Sequence, residues 1–399
     1  MNDDVSQLRA EVSARFGVAV EEVRVVRAPY RICPLGAHVD HQLGVVTAMA
    51  INRGVLLAYA RTQNGVVRLL SRTFAGEVTF ELNNVPDCRS GDWGNFPRGA
   101  ARALQQQHRL QRGIVGITTG SIHEGGLSSS AAIGVACLLA LESANELPIS
   151  REENIVLDQQ IENDYLGLRN GILDQAAILM SRREQLTVVD CRDKQYRVVP
   201  SLSNRPPFAI LLAFSGLKQA LVTTDYNRCV EECTTAAKTL LAAVGRPNDK
   251  PVLRSVTPEE YELHCHWLKG AEAKRAEHFF SEATRVQRGL TAWKSGDLRE
   301  FGRLISASGE SSIVNYECGS PPLVDLYEIL LRTPGVYGTR FSGAGFRGCC
   351  LAIIDPAATS SAVAHVQTEY ANQHPDLAKL ADPPTLCETA DGAEEIERT

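Results

Sequence analysis

The chain of 399 residues has no uninterrupted apolar run near the ~18 residues that a membrane-crossing helix requires. It has no basic block either. Its 41 Lys and Arg stand against 47 Asp and Glu, a formal net charge of −6. That balance argues against nucleic acid or an anionic membrane as the main partner. The first residues, Met1 to Arg9, are polar and acidic. They carry neither the apolar core of a secretory signal nor the Arg-rich character of a transit peptide, so a cytoplasmic location is expected. Internal repeats and low-complexity tracts are absent. So is any C-x2-C pair, and Cys229, Cys233, His264, Cys265 and His266 therefore do not read as a zinc site. The eleven cysteines, an odd number scattered through apolar runs, read as reduced, buried thiols.

What remains is a globular composition, 44% hydrophobic and 22% charged. The length suits two or three domains with a large core. Val5, Leu8, Val12 and Phe16 recur at helical spacing, with Gly17 as the C-cap. A strand follows at Val23–Ala28, then strands at Val45–Ile51, Val55–Arg61, Val66–Leu70 and Glu77–Leu82. Asn64-Gly65 between two of these runs reads as a hairpin turn. Trp93–Gln107 reads as a helix and Gly113–Thr119 as a strand. Ser128–Asn145 is a long helix, apolar nearly all round from Ala131 to Leu141, and so central and buried. Ser150-Arg151-Glu152-Glu153 fits a capping box. The helix it starts should end near Gly167, and a short helix after Gly171 carries Asp174 and Gln175. Asn204 to Pro207 is a polar break, which places a domain boundary at 205/206, giving domains 1–205 and 206–399. Strands are expected at Phe208–Phe214, Val336–Ser342 and Cys349–Ile354, and a last helix at Thr359–Asn372. The acidic end, Asp391 to Thr399, should be frayed.

Three segments carry chemistry. Gly125-Gly126-Leu127-Ser128-Ser129-Ser130 opens the buried helix. Glycines let backbone approach an anion closely, and helix-start N–H groups favour negative charge, so this is a phosphate cradle without the P-loop form. Alone it could be an ordinary Ser-rich N-cap. The run from Gly338 to Gly348, between two strands, permits a tight loop against a ligand. Arg31-Ile32-Cys33-Pro34-Leu35-Gly36-Ala37-His38-Val39-Asp40 crowds cationic, imidazole and carboxylate groups into a turn directly after a strand, where loops commonly hold substrate.

Together these segments resemble the GHMP family of small-molecule kinases. Ala28 to Asp40 looks like the sugar motif of its galactokinase branch. Gln160–Tyr165 with Gly171–Gln175 looks like the catalytic segment, and Tyr226-Asn227-Arg228 like a substrate-contacting tyrosine motif. The resemblance implies an α+β kinase with the active site between two domains. The first would be ribosomal-protein-S5-like and the second ferredoxin-like. It also implies ATP as co-substrate and Mg2+ as cofactor. Asp174 is then the catalytic base or orienting carboxylate, with Arg31 as its partner. Gly125, Gly126, Leu127, Ser128, Ser129 and Ser130 hold the nucleotide phosphates, and Trp93 and Asn95 lie on the adenine side. Ser130 and Glu162 hold the metal. His38, Asp40, Gly171 and Tyr226 contact the sugar.

One departure bears on substrate. The branch pattern R-x-N-x-I-G-E-H-x-D has glutamate where this chain has Ala37. In galactokinases that glutamate takes the sugar's 6-hydroxyl. Two carboxylates ~4 Å apart would repel by about 4 kcal/mol at an effective dielectric near ~20. That is roughly a thousandfold in affinity. Ala37 therefore fits a uronic acid, and the motif set looks like the plant-type galacturonate kinases of the branch. The implied reaction is phosphoryl transfer from ATP to the anomeric hydroxyl of D-galacturonate, in cytosolic salvage of galacturonate from pectin. Arg169 or Lys218 is expected beside the substrate carboxylate, with Arg228 nearby. Glu124, where galactokinases have glycine, leaves the path of the phosphate loop open.

Overall fold

The computed structural model describes the chain apart from residues 1, 121, 123–124, 169, 204, 218–225, 346–347 and 398–399. The first half runs α1 (Asn2–Phe16), β1 (Arg24–Ile32), β2 (Val45–Thr62), β3 (Val66–Ser71), β4 (Glu77–Glu81), α2 (Asn95–Gln105), β5 (Gly113–Gly120), α3 (Ser129–Asn145), α4 (Arg151–Gln160), α5 (Leu173–Met180), β6 (Gln185–Asp190) and β7 (Gln195–Pro200). The second half runs β8 (Ala209–Phe214), α6 (Tyr226–Ala243), α7 (Pro258–His264), α8 (Gly270–Ser295), α9 (Leu298–Val314), α10 (Pro321–Arg332), β9 (Val336–Phe341), β10 (Cys349–Ile354), α11 (Thr359–Gln373) and α12 (Pro375–Leu380), and then β11 (Thr385–Cys387), β12 (Thr389–Ala390) and β13 (Glu394–Glu395).

The first sheet has the order β13-β1-β2-β5-β3-β4, with β6 and β7 continuing from the start of β2. The two strands expected at 45–51 and 55–61 are a single long strand. It pairs with β6 at Val45–Ala48 and with β5 at Val55–Thr62. The hairpin expected at Asn64-Gly65 is not a ladder of neighbours. The local turn does form, with Gly65 in the left-handed region and Asn64 Oδ1 accepting from the Val66 amide at 3.2 Å. But β5 lies between β2 and β3, antiparallel to one and parallel to the other. Gly113 makes room for this. A Cβ there would sit 2.0 Å from the Val66 carbonyl oxygen and 2.8 Å from Thr62 Oγ1. Turn chemistry is local and carries no information about a strand arriving some fifty residues later.

Helix α3 packs on β1, β2 and β5 and against α2, α4 and α5. Its Ala131–Leu138 stretch is buried on every side, as its all-round apolar character requires. Each fully buried leucine there contributes roughly 2 kcal/mol. The predicted capping box is present: Ser150 Oγ accepts from the Glu153 amide, and Glu153 accepts from the Ser150 amide. After Gln160 the chain passes through a wider i→i+5 turn, Ile161–Tyr165, closed by the Leu166 amide donating to the Ile161 carbonyl at 3.0 Å. Such turns recur at functional sites.

The second sheet is antiparallel, in the order β11-β8-β10-β9, covered by α9, α10 and α11. The first sheet is built from strands up to Pro200 and the second from Ala209 onward, except for one return of the chain. After β11 the tail crosses back, and β12 pairs with β2 and β13 with β1. The acidic end expected to fray is therefore ordered as far as it is described. Arg27 pairs with Glu394 at 2.8 Å, Tyr59 donates to Glu395 at 2.8 Å, and Ala393 is buried. Arg24 and Arg27 on β1 supply the countercharge that the acidic composition lacks by itself. Among the described residues no helix is long and apolar enough to cross a membrane.

Candidate active site

The end of β1, the start of α3 and the start of α5 converge on one carboxylate. Arg31 Nε donates to Asp174 Oδ1 at 2.7 Å, and the Ser128 hydroxyl donates to Asp174 Oδ2. Arg31 also donates through Nη1 to the Gly126 carbonyl at 3.0 Å, and its own amide donates to the Leu127 carbonyl at 3.3 Å. One arginine thus ties the glycine-serine loop to the carboxylate at the head of α5. Burial works against the Arg31 charge, but Asp174 outweighs it and raises the pKa. Arg31 is nearly buried while Asp174 is about one-fifth exposed, so the carboxylate is the member open to a ligand. Ser128 holds a left-handed backbone, φ 56°, and its hydroxyl does not cap α3. For a residue with a Cβ this conformation carries strain. It leaves the helix-start amides to another acceptor.

The late glycine run braces this loop by backbone contact. Ser342 Oγ donates to the Gly126 carbonyl at 2.6 Å, and a Cβ on Gly348 would lie 2.2 Å from the Gly125 carbonyl oxygen. Gly171 lets the sugar motif touch the catalytic segment: a Cβ there would sit 2.3 Å from Asp40 Oδ2. Burial, then the neighbouring Asp174 charge, push the Asp40 carboxyl up to about 6.

Glu162 lies in the wide turn and is buried. Its Oε2 accepts from Gln175 Nε2 at 2.8 Å and Asn170 Nδ2 at 3.1 Å. Its Oε1 is buried without a hydrogen bond of good geometry among the described residues, although the Ser130 hydroxyl stands beside the carboxyl. Burial, then Asp174, raise its pKa. A buried carboxylate oxygen left open next to a hydroxyl fits a hard divalent cation that prefers oxygen ligands, which is the chemistry of Mg2+.

Asp158, one helical turn before Glu162, was not foreseen. It is fully buried, and burial followed by the charges of Glu162 and Asp174 raises its pKa well above the usual carboxylate range. Both its oxygens and Oε1 of the adjacent Gln175 lack partners among the described residues. A proton on Asp158 would pair one of its oxygens with Gln175 Oε1, and the Gln175 amide presents its N–H to Glu162. Glu142 is likewise raised by burial, to about 7, and its Oε2 accepts from Asn154 Nδ2 at 3.1 Å.

A pH dependence of stability follows. Above pH ~6.5 unfolded carboxyls hold almost no protons, while Asp158 and Glu142, both raised by burial, give theirs up later in the folded chain, so stability falls as pH rises, by at most about 1.4 kcal/mol per pH unit per retained proton. Below that, buried His38, His41 and His278, whose pKa values are lowered by burial, oppose the trend because only the unfolded chain charges them. The urea midpoint of the unliganded protein is expected to drop between pH 6.5 and 8 and to stay nearly level between 5 and 6.5. A midpoint that rises toward pH 8 would contradict the neutral-carboxyl assignment.

The sugar-motif turn is held from the second half of the chain. Glu282 on α8 accepts from the Gly36 amide at 2.7 Å. His278 Nε2 donates to the Ala37 carbonyl at 3.0 Å, which leaves Nδ1 to accept from Ser311 Oγ at 3.0 Å. His38 stacks flat on Tyr316, ring centroids 4.3 Å apart, and its Nε2 lies 3.6 Å from Cys318 Sγ. Ala37 itself is buried in this frame. Sequence reading missed His278 and Glu282. Their spacing with Arg275, i, i+3 and i+7 on one helix face, was the available signal.

On the expected adenine side, Trp93 is buried and faces the exposed Phe74, centroids 6.5 Å apart. Asn95 spends its amide on the Arg89 backbone, accepting from the amide at 3.0 Å and donating to the carbonyl at 2.6 Å. Ser129 and Ser130 open α3. Arg169, Lys218 and Glu124 and the side chain of Tyr226 lie outside the described residues. Arg228 is largely exposed and pairs with Glu232 at 3.6 Å.

Three family models match parts of the chain. Residues 95–182 match the GHMP kinases N terminal domain, residues 289–372 the GHMP kinases C terminal domain, and residues 13–61 the galactokinase galactose-binding signature. The chain is 50% identical to a galacturonokinase of Arabidopsis thaliana, covering 98% of each sequence. It is 30% identical to a galactokinase of Roseiflexus sp. (strain RS-1), covering 98% of this chain and 96% of that one. The crystal structure of Lactococcus lactis galactokinase complexed with galactose superposes with a TM-score of 0.88 at 27% identity, over 98% of this chain and 100% of the other.

Proposed function

The chain belongs to the GHMP kinase family, in its galactokinase-like branch, and from that premise we propose that it phosphorylates D-galacturonate at the anomeric hydroxyl, giving α-D-galacturonate 1-phosphate and ADP. The observation that carries the reading is Asp174 held by Arg31 Nε at 2.7 Å and by the Ser128 hydroxyl beside the glycine-serine loop, set next to a sugar turn with Ala37 at its centre. The kinship with a galacturonokinase over the full length supports the substrate.

The γ-phosphoryl group of ATP lies at the start of α3, where amides of Gly126 to Ser130 and the helix dipole meet its charge. The anomeric hydroxyl donates to Asp174. As its oxygen bonds to phosphorus and the bridge to ADP breaks, the proton passes to the Asp174 carboxylate. Arg31 holds that carboxylate in place and faces the developing negative charge. Asp40, His38, Gly171 and Tyr226 seat the ring. Ser130 and Glu162 would hold Mg2+, which when bound neutralises phosphate charge. Trp93 and Asn95 border the base. This reaction suits salvage of free galacturonate in the cytoplasm.

The test is the product. With purified protein, MgATP and D-galacturonate, phosphorus NMR is expected to show one new ester coupled to H1 of an α-anomer, formed in step with ADP. An ester at another carbon, or no turnover of galacturonate, would reject the reading.

A further inference from the structure

Behind Glu162, three buried side chains leave polar atoms without partners among the described residues: both oxygens of Asp158, Gln175 Oε1 and Glu162 Oε1. Asp158 lies on α4, one helical turn before Glu162. The interior makes room for it. Gly134 on α3 turns bare backbone toward the carboxyl, and a Cβ there would sit 2.1 Å from Asp158 Oδ1. An interior carboxyl placed at such a cost in packing needs a partner. No basic group supplies one. The charges that act on Asp158, those of Glu162 and Asp174, are both negative, and Arg31 is committed to Asp174. Its polar neighbour is the Gln175 side chain.

Gln175 is the pivot. Its Nε2 donates to Glu162 Oε2 at 2.8 Å, and Asn170 Nδ2 donates to the same oxygen at 3.1 Å. Asn170 is fixed from elsewhere: its amide donates to Asn163 Oδ1 and its carbonyl accepts from Asn163 Nδ2, both at 3.2 Å. Gln175 Oε1, the other end of its amide, has no donor among the described residues. A side-chain amide carries an acceptor and a donor and can turn over. Turned over, Gln175 would set acceptor against acceptor at Glu162 Oε2, and the carboxylate would have to move or take up a proton. In the observed orientation both donors land on Oε2, and Oε1 stays open beside the Ser130 hydroxyl.

We infer that Asp158 is a positioning residue for the metal ligand Glu162: as a neutral carboxyl it donates to Gln175 Oε1, locks the amide with Nε2 on Glu162 Oε2, and so keeps Glu162 Oε1 ionised and open to the divalent cation. The inference rests on the proposed reading of Ser130 and Glu162 as the Mg2+ ligands. Asp158 touches neither substrate nor metal and acts through one amide. Gln175 directly follows Asp174 at the head of α5, so the same lock ties the metal side of the site to the proton acceptor.

The experiment measures the affinity of the protein–ADP complex for Mn2+, as a paramagnetic stand-in for Mg2+, by electron paramagnetic resonance. No sugar is present, so no turnover enters the reading. Asp158→Ala is expected to weaken Mn2+ binding by about tenfold to a hundredfold, the usual effect of removing the partner of a metal ligand's partner. Asp158→Asn still donates to Gln175 and is expected to stay within about threefold of wild type. Gln175→Met keeps the shape of the side chain without its amide and should lose as much as Asp158→Ala. The double variant should bind no more weakly than Gln175→Met alone, because Asp158 acts only through that amide. Affinities for ADP in EDTA and for galacturonate, by calorimetry, are expected to hold within about threefold. If Asp158→Ala does not fold, Gln175→Met carries the test, and Mn2+ affinity unmoved there overturns the inference. It is overturned as well by Asn as weak as Ala, by losses that multiply in the double variant, or by a parallel fall in metal-free ADP affinity, which marks a structural role only. A wild-type ADP complex that holds Mn2+ no better than free ADP does would instead remove the metal assignment on which the inference rests.

Discussion

Asp174→Asn is expected to lower kcat by about three orders of magnitude, the effect of losing a positioned proton acceptor. The geometry makes this substitution informative. Asp174 Oδ1 faces Arg31 Nε and Oδ2 faces the Ser128 hydroxyl. Asparagine can keep its carbonyl toward Arg31 and turn its amide to Ser128, which can accept. The junction survives in shape. What disappears is the negative charge that balances Arg31, a nearly buried guanidinium. Charge-assisted hydrogen bonds are worth about 2 kcal/mol, so a modest fall in thermal stability accompanies the loss. Sugar and nucleotide binding should change far less, because Asp40 and the glycine-serine loop are untouched. Rapid-quench ADP formation, with ligand-induced thermal shifts on the same sample, separates the two effects. Turnover within tenfold of wild type would mean that Asp174 is not the proton acceptor.

The second large effect is on substrate choice. Ala37→Glu is expected to cut kcat/KM for galacturonate by roughly a thousandfold, from the repulsion of two carboxylates at ~4 Å. Galactose, which has no charge at C6, should change by less than about tenfold. The turn cannot easily swing the new side chain away. The Gly36 amide is held by Glu282, the Ala37 carbonyl by His278, and His38 is stacked on Tyr316. Steady-state kinetics with both sugars reads this directly. Parallel losses on the two substrates would indicate that residue 37 only packs.

Much of the fold could be read from local pattern. The all-round apolar run of α3, the capping box of α4 and the strand Cys349–Ile354 follow from periodicity and capping chemistry, and each appears with nearly the expected bounds. Features set by distant partners were not legible. The insertion of β5 between β2 and β3 depends on Gly113 passing the Val66 carbonyl. The acidic tail is ordered because Arg24, Arg27 and Tyr59 wait on β1 and β2. At the site, Arg31, Ser128 and Asp174 came from motif resemblance, and they meet across 143 residues of chain. Asp158 reads in sequence as a solvated helix charge. Only its contact with the bare backbone at Gly134, where a Cβ would lie 2.1 Å from Oδ1, shows it to be interior. Glu282 was hidden likewise, since a charged residue on a helix is usually a surface residue until its partners are seen.

The central claim is a preference for an oxidised hexose. Its most direct test sets D-galacturonate and D-galactose in competition for the purified wild-type protein at limiting MgATP, with both 1-phosphates quantified from one reaction. The account predicts that galacturonate 1-phosphate forms in large excess. A mixture dominated by galactose 1-phosphate would contradict it.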